Sequence, residues 1–282
     1  MSLGSIVKRN VGPQTWRRLR RVAWPLVRRH RLRFAMSYIG PLVDMAEAWA
    51  RSDSEDSNFL YALTPMSRLN LTHTLANVFD ISVADVGALM EEIETDRAFN
   101  DHVRAGLLRL LPGVSSFSIG RRLGWYVAAR LTKPKLVVET GVDYGLGSCV
   151  LCSALLRNAA EGSPGRYLGL DIRGDAGQLL TPPYAEVGQM IYGDALDSLS
   201  AISEPIDLFI NDSDHSFDYE AREYETIKNR LSPAAVILGD NSHCSPSLAR
   251  FSEDNGRRFL FFKEEPAQHW YPGAGIGFSY PR

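Results

Sequence analysis

Hydrophobic residues recur along the chain in two patterns, and the change between them falls near residue 120. Before that point, apolar and polar residues follow one another with helical spacing. This spacing predicts helices over residues 67–79, 82–94 and 96–111. Ser82, followed three residues later by Asp85, is typical of a helix N-cap. The first part of the chain is therefore predicted to be helical.

Prolines and small polar residues predict where the helical segments end. Pro25 and Pro41 are expected to break the helical pattern near the N-terminus, and residues 53–57 are predicted to form a polar loop. A further cluster marks the end of the helical part: Pro112, Gly113, Ser115, Ser116 and Ser118. We therefore predict a helical N-terminal region over residues 1–120.

From residue 121 onward, β-rich runs alternate with helical stretches, as is typical of a doubly wound parallel sheet. The predicted strands span residues 136–139, 166–171, 189–192, 206–212, 235–239, 259–264 and 276–280. Residues 121–282 are thus predicted to form a Rossmann-like α/β domain with a seven-stranded, mostly parallel sheet. The last two strands lie close together in sequence, which predicts an antiparallel hairpin at the edge of the sheet.

The composition is that of a soluble protein with a core, since 45% of the 282 residues are hydrophobic and 23% are charged. The longest apolar runs are far shorter than the roughly 20 residues that cross a bilayer. Three cysteines cannot form a disulfide framework in a chain of this size. We therefore expect reduced thiols, no membrane span and a cytoplasmic protein.

The net charge of −2 conceals a strong asymmetry. Residues 1–43 contain ten Lys and Arg and no acid, whereas the rest of the chain has 21 bases and 33 acids, a net charge of −12. An acidic body is a poor partner for nucleic acid. The basic arm is expected to pack on this body or on a second subunit, as in a homodimer. Peripheral contact with an anionic membrane surface and binding of an acidic substrate are the alternatives.

The first predicted strand runs into Glu139 and then into a turn that is rich in glycine. The spacing is E-x-G-x-x-x-G-x-G, in contrast to the G-x-G-x-x-G of dinucleotide-binding turns, so no diphosphate cradle is implied. The segment resembles the first motif of class I S-adenosylmethionine (SAM)-dependent methyltransferases. The resemblance implies that Glu139, Gly141, Gly145 and Ser148 surround the methionine portion of SAM.

Two further carboxylates occur where that family has them. Asp171 ends the second predicted strand and is suited to accept hydrogen bonds from both ribose hydroxyls. Asp194 follows the third strand, where the family contacts adenine. Each aspartate also suits the N-cap of the following helix. Three matches on successive strands favour the SAM site over an ordinary Gly-rich connection and two helix caps.

The fourth and fifth predicted strands end in polar side chains, Asp212 and His215 after the fourth and Asp240 and Asn241 after the fifth. The carboxyl ends of parallel strands meet at one edge of a sheet, where such sheets bind ligands. Carboxylate and amide oxygens suit Mg²⁺ better than a soft metal. We therefore predict a metal site formed by Asp212, Asp240 and Asn241.

This pattern resembles the metal-dependent O-methyltransferases, which include catechol, caffeoyl-CoA and macrolide-sugar types. In that group the general base lies three residues after the first metal-binding Asp, a position that His215 occupies here. A lysine fills it in the catechol and caffeoyl-CoA types, and a histidine fills it in the sugar-modifying types. The resemblance therefore implies that His215 is the catalytic base and that the acceptor is a sugar.

The sequence as a whole predicts a SAM-dependent, Mg²⁺-dependent O-methyltransferase that acts on a hydroxyl of a small-molecule or oligosaccharide acceptor. Glycosides, glycolipids and methylated polysaccharides, such as methylmannose polysaccharide, are the expected classes. A phenol or catechol acceptor, a SAM-binding scaffold without catalysis and a nicotinamide-dependent oxidoreductase are the alternatives. The sequence does not distinguish Mg²⁺ from Mn²⁺ and does not identify the methylated hydroxyl.

Overall fold

The structure is a computed structural model that describes residues 13–52, 60–111, 113–114 and 116–282. The chain divides into two compact units, Met1–Ser52 and Asp53–Arg282. The predicted polar loop over residues 53–57 lies outside the described residues.

The first unit contains one long helix, α1, which spans Pro13–Ala50. The prediction that Pro25 and Pro41 break this helix is wrong, since both lie inside it. Each proline removes a single backbone hydrogen bond from a ladder that continues on both sides. The carbonyl groups that lose a donor belong to Arg21 and Ser37, which are exposed and can bind water instead.

The second unit begins with three helices close to their predicted positions: α2 (Pro65–Phe79), α3 (Val83–Glu94) and α4 (Arg97–Leu110). Side chains cap these helices and define where they begin. Ser82 accepts a hydrogen bond from the backbone N–H of Asp85, as predicted, and Asp96 accepts one from Phe99.

The rest of this unit is an α/β domain. Its strands are β1 (Leu136–Thr140), β2 (Arg166–Asp171), β3 (Gly188–Tyr192), β4 (Ile206–Asn211), β5 (Leu231–Asp240), β6 (Arg258–Lys263) and β7 (Gly275–Tyr280). Its helices are α5 (Leu123–Thr132), α6 (Leu146–Ala160), α7 (Ala195–Ala201), α8 (Phe217–Ile227) and α9 (Ser247–Asp254).

The seven strands form one sheet in the order β3-β2-β1-β4-β5-β7-β6. The first five are parallel, and β7 is antiparallel to both of its neighbours. The predicted fold, a doubly wound, mostly parallel sheet with an antiparallel C-terminal pair, is confirmed. The connection between β6 and β7 comprises residues 264–274, one residue from the predicted position.

The α2–α4 helices share a hydrophobic core with the sheet. Leu75, Met90 and Val103 belong to the same buried cluster as Trp125 and Phe278. The division between the compact units therefore falls after Ser52, whereas the sequence predicted a boundary at residue 120. No helix among the described residues is long and apolar enough to cross a membrane.

The shared core predicts how a mutation in α4 affects unfolding of the whole second unit. Phe99 is 1% exposed and packs against Phe117 and Tyr184. Phe99→Ala should lower the free energy of unfolding by about 3–5 kcal/mol because it leaves a cavity. Leu108→Ala on the same helix should change it by less than about 0.5 kcal/mol, since Leu108 is 51% exposed.

Urea unfolding of the full chain, followed by tryptophan fluorescence and circular dichroism, measures both variants. We expect the main transition to shift as a whole in Phe99→Ala. A second transition that shifts alone, with the sheet unaffected, would show that the helices form a separate domain.

Candidate active site

A cavity of about 540 Å³ opens at the carboxyl edge of the parallel strands. Seven of the ten predicted site residues line it: Gly141, Asp171, Asp194, Asp212, His215, Asp240 and Asn241. The edge brings them together because β1, β2, β4 and β5 run in the same direction and end at similar heights. Two polar regions result, one with Asp171 and Asp194 and one with Asp212 and Asp240.

Gly141 holds the turn after β1 against the turn after β4. Its φ angle is 80°, and a Cβ atom built on it would lie 1.9 Å from the carbonyl oxygen of Asp212. Only glycine allows this conformation and this approach together. Gly141 is therefore needed because the turns after β1 and β4 touch at this residue. The spacing of glycines in the sequence does not reveal this contact.

Asp171 organises the turn after β1. Its Oδ2 accepts hydrogen bonds from the backbone N–H groups of Val142 (2.9 Å) and Asp143 (3.1 Å). Its Oδ1 accepts one from the backbone N–H of Arg173 (2.8 Å). An ionised carboxylate offers about four acceptor sites, so these bonds leave part of its capacity for a ligand.

Asp194 is the N-cap of α7, as one reading of the sequence expected. Its Oδ1 accepts a hydrogen bond from the backbone N–H of Leu196 at 2.8 Å. The Tyr219 hydroxyl approaches the same oxygen at 3.4 Å, and both side chains line the cavity. The capping role and a position facing a ligand therefore coexist in this residue.

The structure places Glu139, Gly145 and Ser148 outside the lining of this cavity. Glu139 is buried, and its Oε2 accepts a hydrogen bond from the Tyr167 hydroxyl at 2.5 Å. The Ser148 hydroxyl lies 2.7 Å from the same phenol oxygen. Gly145, with φ of 94°, begins α6 and packs on the backbone of Gly177. Glu139, Gly145 and Ser148 thus support the turn after β1 and do not face the cavity.

Three ligand-type atoms, from Asp212, His215 and Asp240, lie within 4.8 Å of one another. Asn241 adjoins them with a φ angle of 53°, and its Nδ2 lies 2.9 Å from Nε2 of His215. An amide nitrogen only donates, so this ring nitrogen accepts. The Asn241 Oδ1 atom is buried and has no hydrogen-bond partner among the described residues.

A residue absent from the sequence prediction, Arg121, binds Asp240 with two hydrogen bonds of 2.5 and 2.6 Å. Both side chains are buried. Arg121 Nη1 also donates to the Tyr61 hydroxyl (2.7 Å) and to Glu264 Oε1 (2.9 Å). One guanidinium thus serves two buried carboxylates and a phenol.

The charges at this edge do not balance. Burial works to raise the pKa of Asp240, but the charge and hydrogen bonds of Arg121 hold that pKa below its usual value. Burial and the adjacent charge of Asp240 raise the pKa of Asp212 well above its usual value. The neighbouring Arg122 lowers both pKa values without reversing either direction. The ionised form of Asp212 is therefore disfavoured, whereas that of Asp240 is favoured.

Glu220 is the second residue that the sequence analysis missed. It lies in the first turn of α8, is 1% exposed, and its Oε2 accepts a hydrogen bond from Ser245 at 2.7 Å. Its Oε1 lies 3.6 Å from Nδ1 of His215, and neither atom has a hydrogen-bond partner among the described residues. The imidazole is thus flanked by Glu220 on one side and by Asp212, at 3.7 Å, on the other.

Buried Glu139 predicts how the stability of the ligand-free chain depends on pH. Burial raises the pKa of Glu139 to about 8, from a usual value of 4.5. Between these pH values the folded chain retains a proton that the unfolded chain has lost, so stability falls as pH rises. The full loss across these two pKa values is on the order of 5 kcal/mol. The free energy of unfolding of Glu139→Gln should fall much less over the same pH range.

Urea unfolding at several pH values between about 5 and 8 measures the difference. Burial also raises the pKa of Glu223, to about 7, and this residue contributes a slope of the same sign in both proteins. Exposed Glu186→Gln is the matched control and should follow the wild type. Equal slopes for Glu139→Gln and the wild type would contradict the prediction.

Residues 138–242 match a family model described as a methyltransferase domain. This segment begins in β1 and ends two residues after β5, so it contains all ten predicted site residues. No curated protein sequence matches the chain.

Solved structures with the same fold come from several bacteria. A candidate O-methyltransferase from Klebsiella pneumoniae is 18% identical, with a TM-score of 0.51, 71% of this chain covered and 96% of the other. A cofactor-bound protein from MTB is also 18% identical, with a TM-score of 0.50 and the same coverage. An O-methyltransferase from Bacillus cereus in complex with SAH is 17% identical, with a TM-score of 0.48 and coverages of 67% and 92%.

The family match and the fold agree on the same part of the chain. The sheet order, the site at its carboxyl edge and the matched segment all lie within the second compact unit. Residues 138–242 therefore match a methyltransferase domain, and the second compact unit has the fold of the solved methyltransferase structures.

Proposed function

We propose that this protein transfers the methyl group of SAM to a hydroxyl of a sugar or saccharide, with the help of a divalent cation, most simply Mg²⁺. The observation that carries the proposal is the convergence of Asp212, His215, Asp240 and Asn241 on one side of a cavity whose other side holds Asp171 and Asp194. A cofactor and an acceptor could thus occupy adjacent halves of one cavity.

The Asp171 half suits the cofactor. Asp171 retains acceptor capacity for ribose hydroxyls, and Asp194 with Tyr219 borders the place where an adenine would lie. The backbone of Gly141 lines the cavity between this half and Asp212. SAM bound here would supply an electrophilic methyl group, and the protein would have to align it with the acceptor oxygen.

The Asp212 half suits a hard divalent cation. Asp212 is 19% exposed, and burial and the charge of Asp240 disfavour its ionised form by raising its pKa, so a cation beside it would favour that form. The buried Oδ1 of Asn241 has no partner among the described residues. These groups, with Asp240, would hold the ion. A cation there would stabilise the alkoxide that forms when an acceptor hydroxyl loses its proton.

His215 is placed to take that proton. Its Nε2 is the accepting nitrogen and faces Asp212 and Asn241, and the acceptor hydroxyl would replace the Asn241 amide as the donor to it. Glu220 would hold the proton on Nδ1. The methyl carbon of bound SAM would leave the sulfonium sulfur and bond to the acceptor oxygen as His215 takes the hydroxyl proton. The products would be a methyl ether, SAH and a protonated imidazole.

A histidine base supports a sugar acceptor over a phenol, because histidine occupies this position in the sugar-modifying enzymes that the motif resembles. An alcohol has a pKa far above 7 and needs both a base and charge stabilisation. The acceptor class is tested by offering SAM with a radiolabelled methyl group to panels of glycosides, oligosaccharides and catechols. Methylation of catechols alone would replace the sugar assignment.

Activity should depend on a divalent cation held at Asp212. Excess chelator should stop turnover, and Mg²⁺ or Mn²⁺ should restore it, while SAM affinity stays nearly constant. Asp212→Asn should weaken the cation and lower turnover about 10²-fold or more. The matched control is Asp218→Asn, since Asp218 is exposed and is not among the residues that line the cavity.

Titration calorimetry with SAM and with Mg²⁺ separates the two ligands, and labelled-methyl transfer measures turnover. Full turnover in excess chelator would overturn the metal assignment and leave the methyltransferase assignment intact. Loss of SAM binding in Asp212→Asn would show that this residue belongs to the cofactor half.

His215 and Glu220 should act as a pair of base and positioning residue. His215→Ala should lower kcat about 10²- to 10⁴-fold with SAM affinity retained. Glu220→Ala should lower kcat about 10- to 100-fold with little change in KM, because the imidazole is still present but no longer held in one tautomer. Glu220→Gln retains an acceptor for Nδ1–H and should recover part of the loss.

Glu225→Ala on the same helix is the control, since the Glu225 side chain is 69% exposed. Steady-state kinetics and thermal unfolding are measured for each variant. A His215→Ala variant that retains near-normal turnover would place the base elsewhere. Equal loss in Glu220→Ala and Glu220→Gln would limit Glu220 to a structural role.

A further inference from the structure

Helix α1 exposes an unusual amount of apolar surface. It has 38 residues and is therefore about 57 Å long. Among the described residues, eleven of the seventeen exposed large hydrophobic side chains lie on it, and Val22, Leu26 and Tyr38 are each at least 70% exposed. Soluble proteins rarely leave so many large apolar side chains uncovered on one helix.

Arginines and apolar residues follow one another in a single row along one side of the helix. Steps of three and four residues follow one side of an α-helix. Such steps connect Arg17, Arg21, Trp24, Arg28, Arg31, Ala35, Ile39, Leu42, Ala46 and Trp49. The four arginines are exposed, as are Ile39 and Leu42. One side of α1 is thus basic in its first half and apolar in its second.

The charge on this side has no compensating acid nearby in sequence. No Asp or Glu precedes Asp44, and residues 1–43 carry ten basic residues. Asp44 falls on the opposite side from Ile39 and Leu42 by the same spacing, and Glu47 pairs with Arg51 at 2.8 Å. An occupant of this side must therefore be anionic and must also offer apolar contact.

We propose that this side of α1 binds the surface of a lipid bilayer that contains anionic phospholipids. Headgroup phosphates would pair with Arg17, Arg21 and Arg28, and Ile39 and Leu42 would enter the acyl boundary. Nucleic acid matches the arginines but offers no apolar phase to the second half. A second copy of α1 matches the apolar half but places no acids against the arginines.

Binding is measured by co-sedimentation of the full chain with phosphatidylcholine vesicles and with vesicles that also contain phosphatidylglycerol. We expect binding to the anionic vesicles only, and a strong loss when salt is raised from ~0.1 M to ~1 M. Arg17→Gln, Arg21→Gln and Arg28→Gln together should weaken it on the order of 100-fold, since each arginine near an anionic surface contributes about fivefold.

The matched control removes the same charge from arginines of the same segment that lie outside this row: Arg18→Gln, Arg29→Gln and Arg33→Gln. Screening acts over about 8–10 Å, roughly the diameter of a helix. These three changes should therefore weaken binding at least about tenfold less than the first set. Equal losses would mean that net charge alone attracts the chain, and would overturn the assignment to one side.

The apolar half is tested with Ile39→Ser and Leu42→Ser together, against Val22→Ser and Leu26→Ser on the other side. We expect a loss on the order of 100-fold in the first pair and little change in the second. Circular dichroism and thermal unfolding check that each variant keeps its fold. Methyl transfer to a water-soluble acceptor is independent of this surface, so its result does not bear on the vesicle result.

Light scattering of the same samples identifies the main competing occupant. A dimer that dissociates in Ile39→Ser with Leu42→Ser, together with no binding to anionic vesicles, would show that a second copy covers this side of α1 and would overturn the proposal. Equal binding to neutral and anionic vesicles would show that the arginines do not recognise anionic headgroups, and would also overturn the proposal.

Discussion

The candidate site depends on a single buried guanidinium. Arg121 binds Asp240 with two hydrogen bonds and Glu264 with one, although these partners are 119 and 143 residues away in sequence. Removing one member of such a pair costs about 3–5 kcal/mol, because the remaining charge stays buried without a partner. The turn before α5, the end of β5 and the β6–β7 connection are therefore held in one arrangement.

The β6–β7 connection brings a second carboxylate to Arg121. Glu264 reaches Arg121 because the connection folds back on the chain before α2, where Thr64 N–H donates to Glu265 O and Ala267 N–H donates to Ala62 O. The Glu264 Oε1 atom accepts from Arg121 and from the backbone N–H of Ala274. A short hairpin turn would pair β6 with β7 equally well, but it would leave Arg121 with fewer acceptors.

Local signals were enough to predict the strands and the acids at their ends. Asp212, Asp240 and Asn241 follow hydrophobic runs directly, and parallel strands bring such residues to one edge. Arg121 and Glu220 carried no such signal. Arg121 is one arginine among many and its partners are distant in sequence, while Glu220 looks like any acid in the first turn of a helix.

The same contrast explains why α1 was predicted as interrupted. The effect of a proline is read from the sequence as a lost hydrogen bond and a steric clash. Whether the helix continues depends on its length and on access of water to the freed carbonyl groups. Neither the helix length nor the access of water can be judged from the proline alone, so the predicted breaks at Pro25 and Pro41 were wrong.

The contacts around Asp240 and Asn241 also indicate what a cation at this edge would do. Arg121 fixes the Asp240 carboxylate, and Asn241 is fixed by the hydrogen bond from its N–H to Gly275 O and by its positive φ angle. In structural metal sites the ion itself holds the ligands together, and its binding energy is folding energy. Here protein contacts already position two of the three groups. A cation would therefore add charge compensation beside Asp212, where an acceptor oxygen could reach it, and would contribute little to the fold.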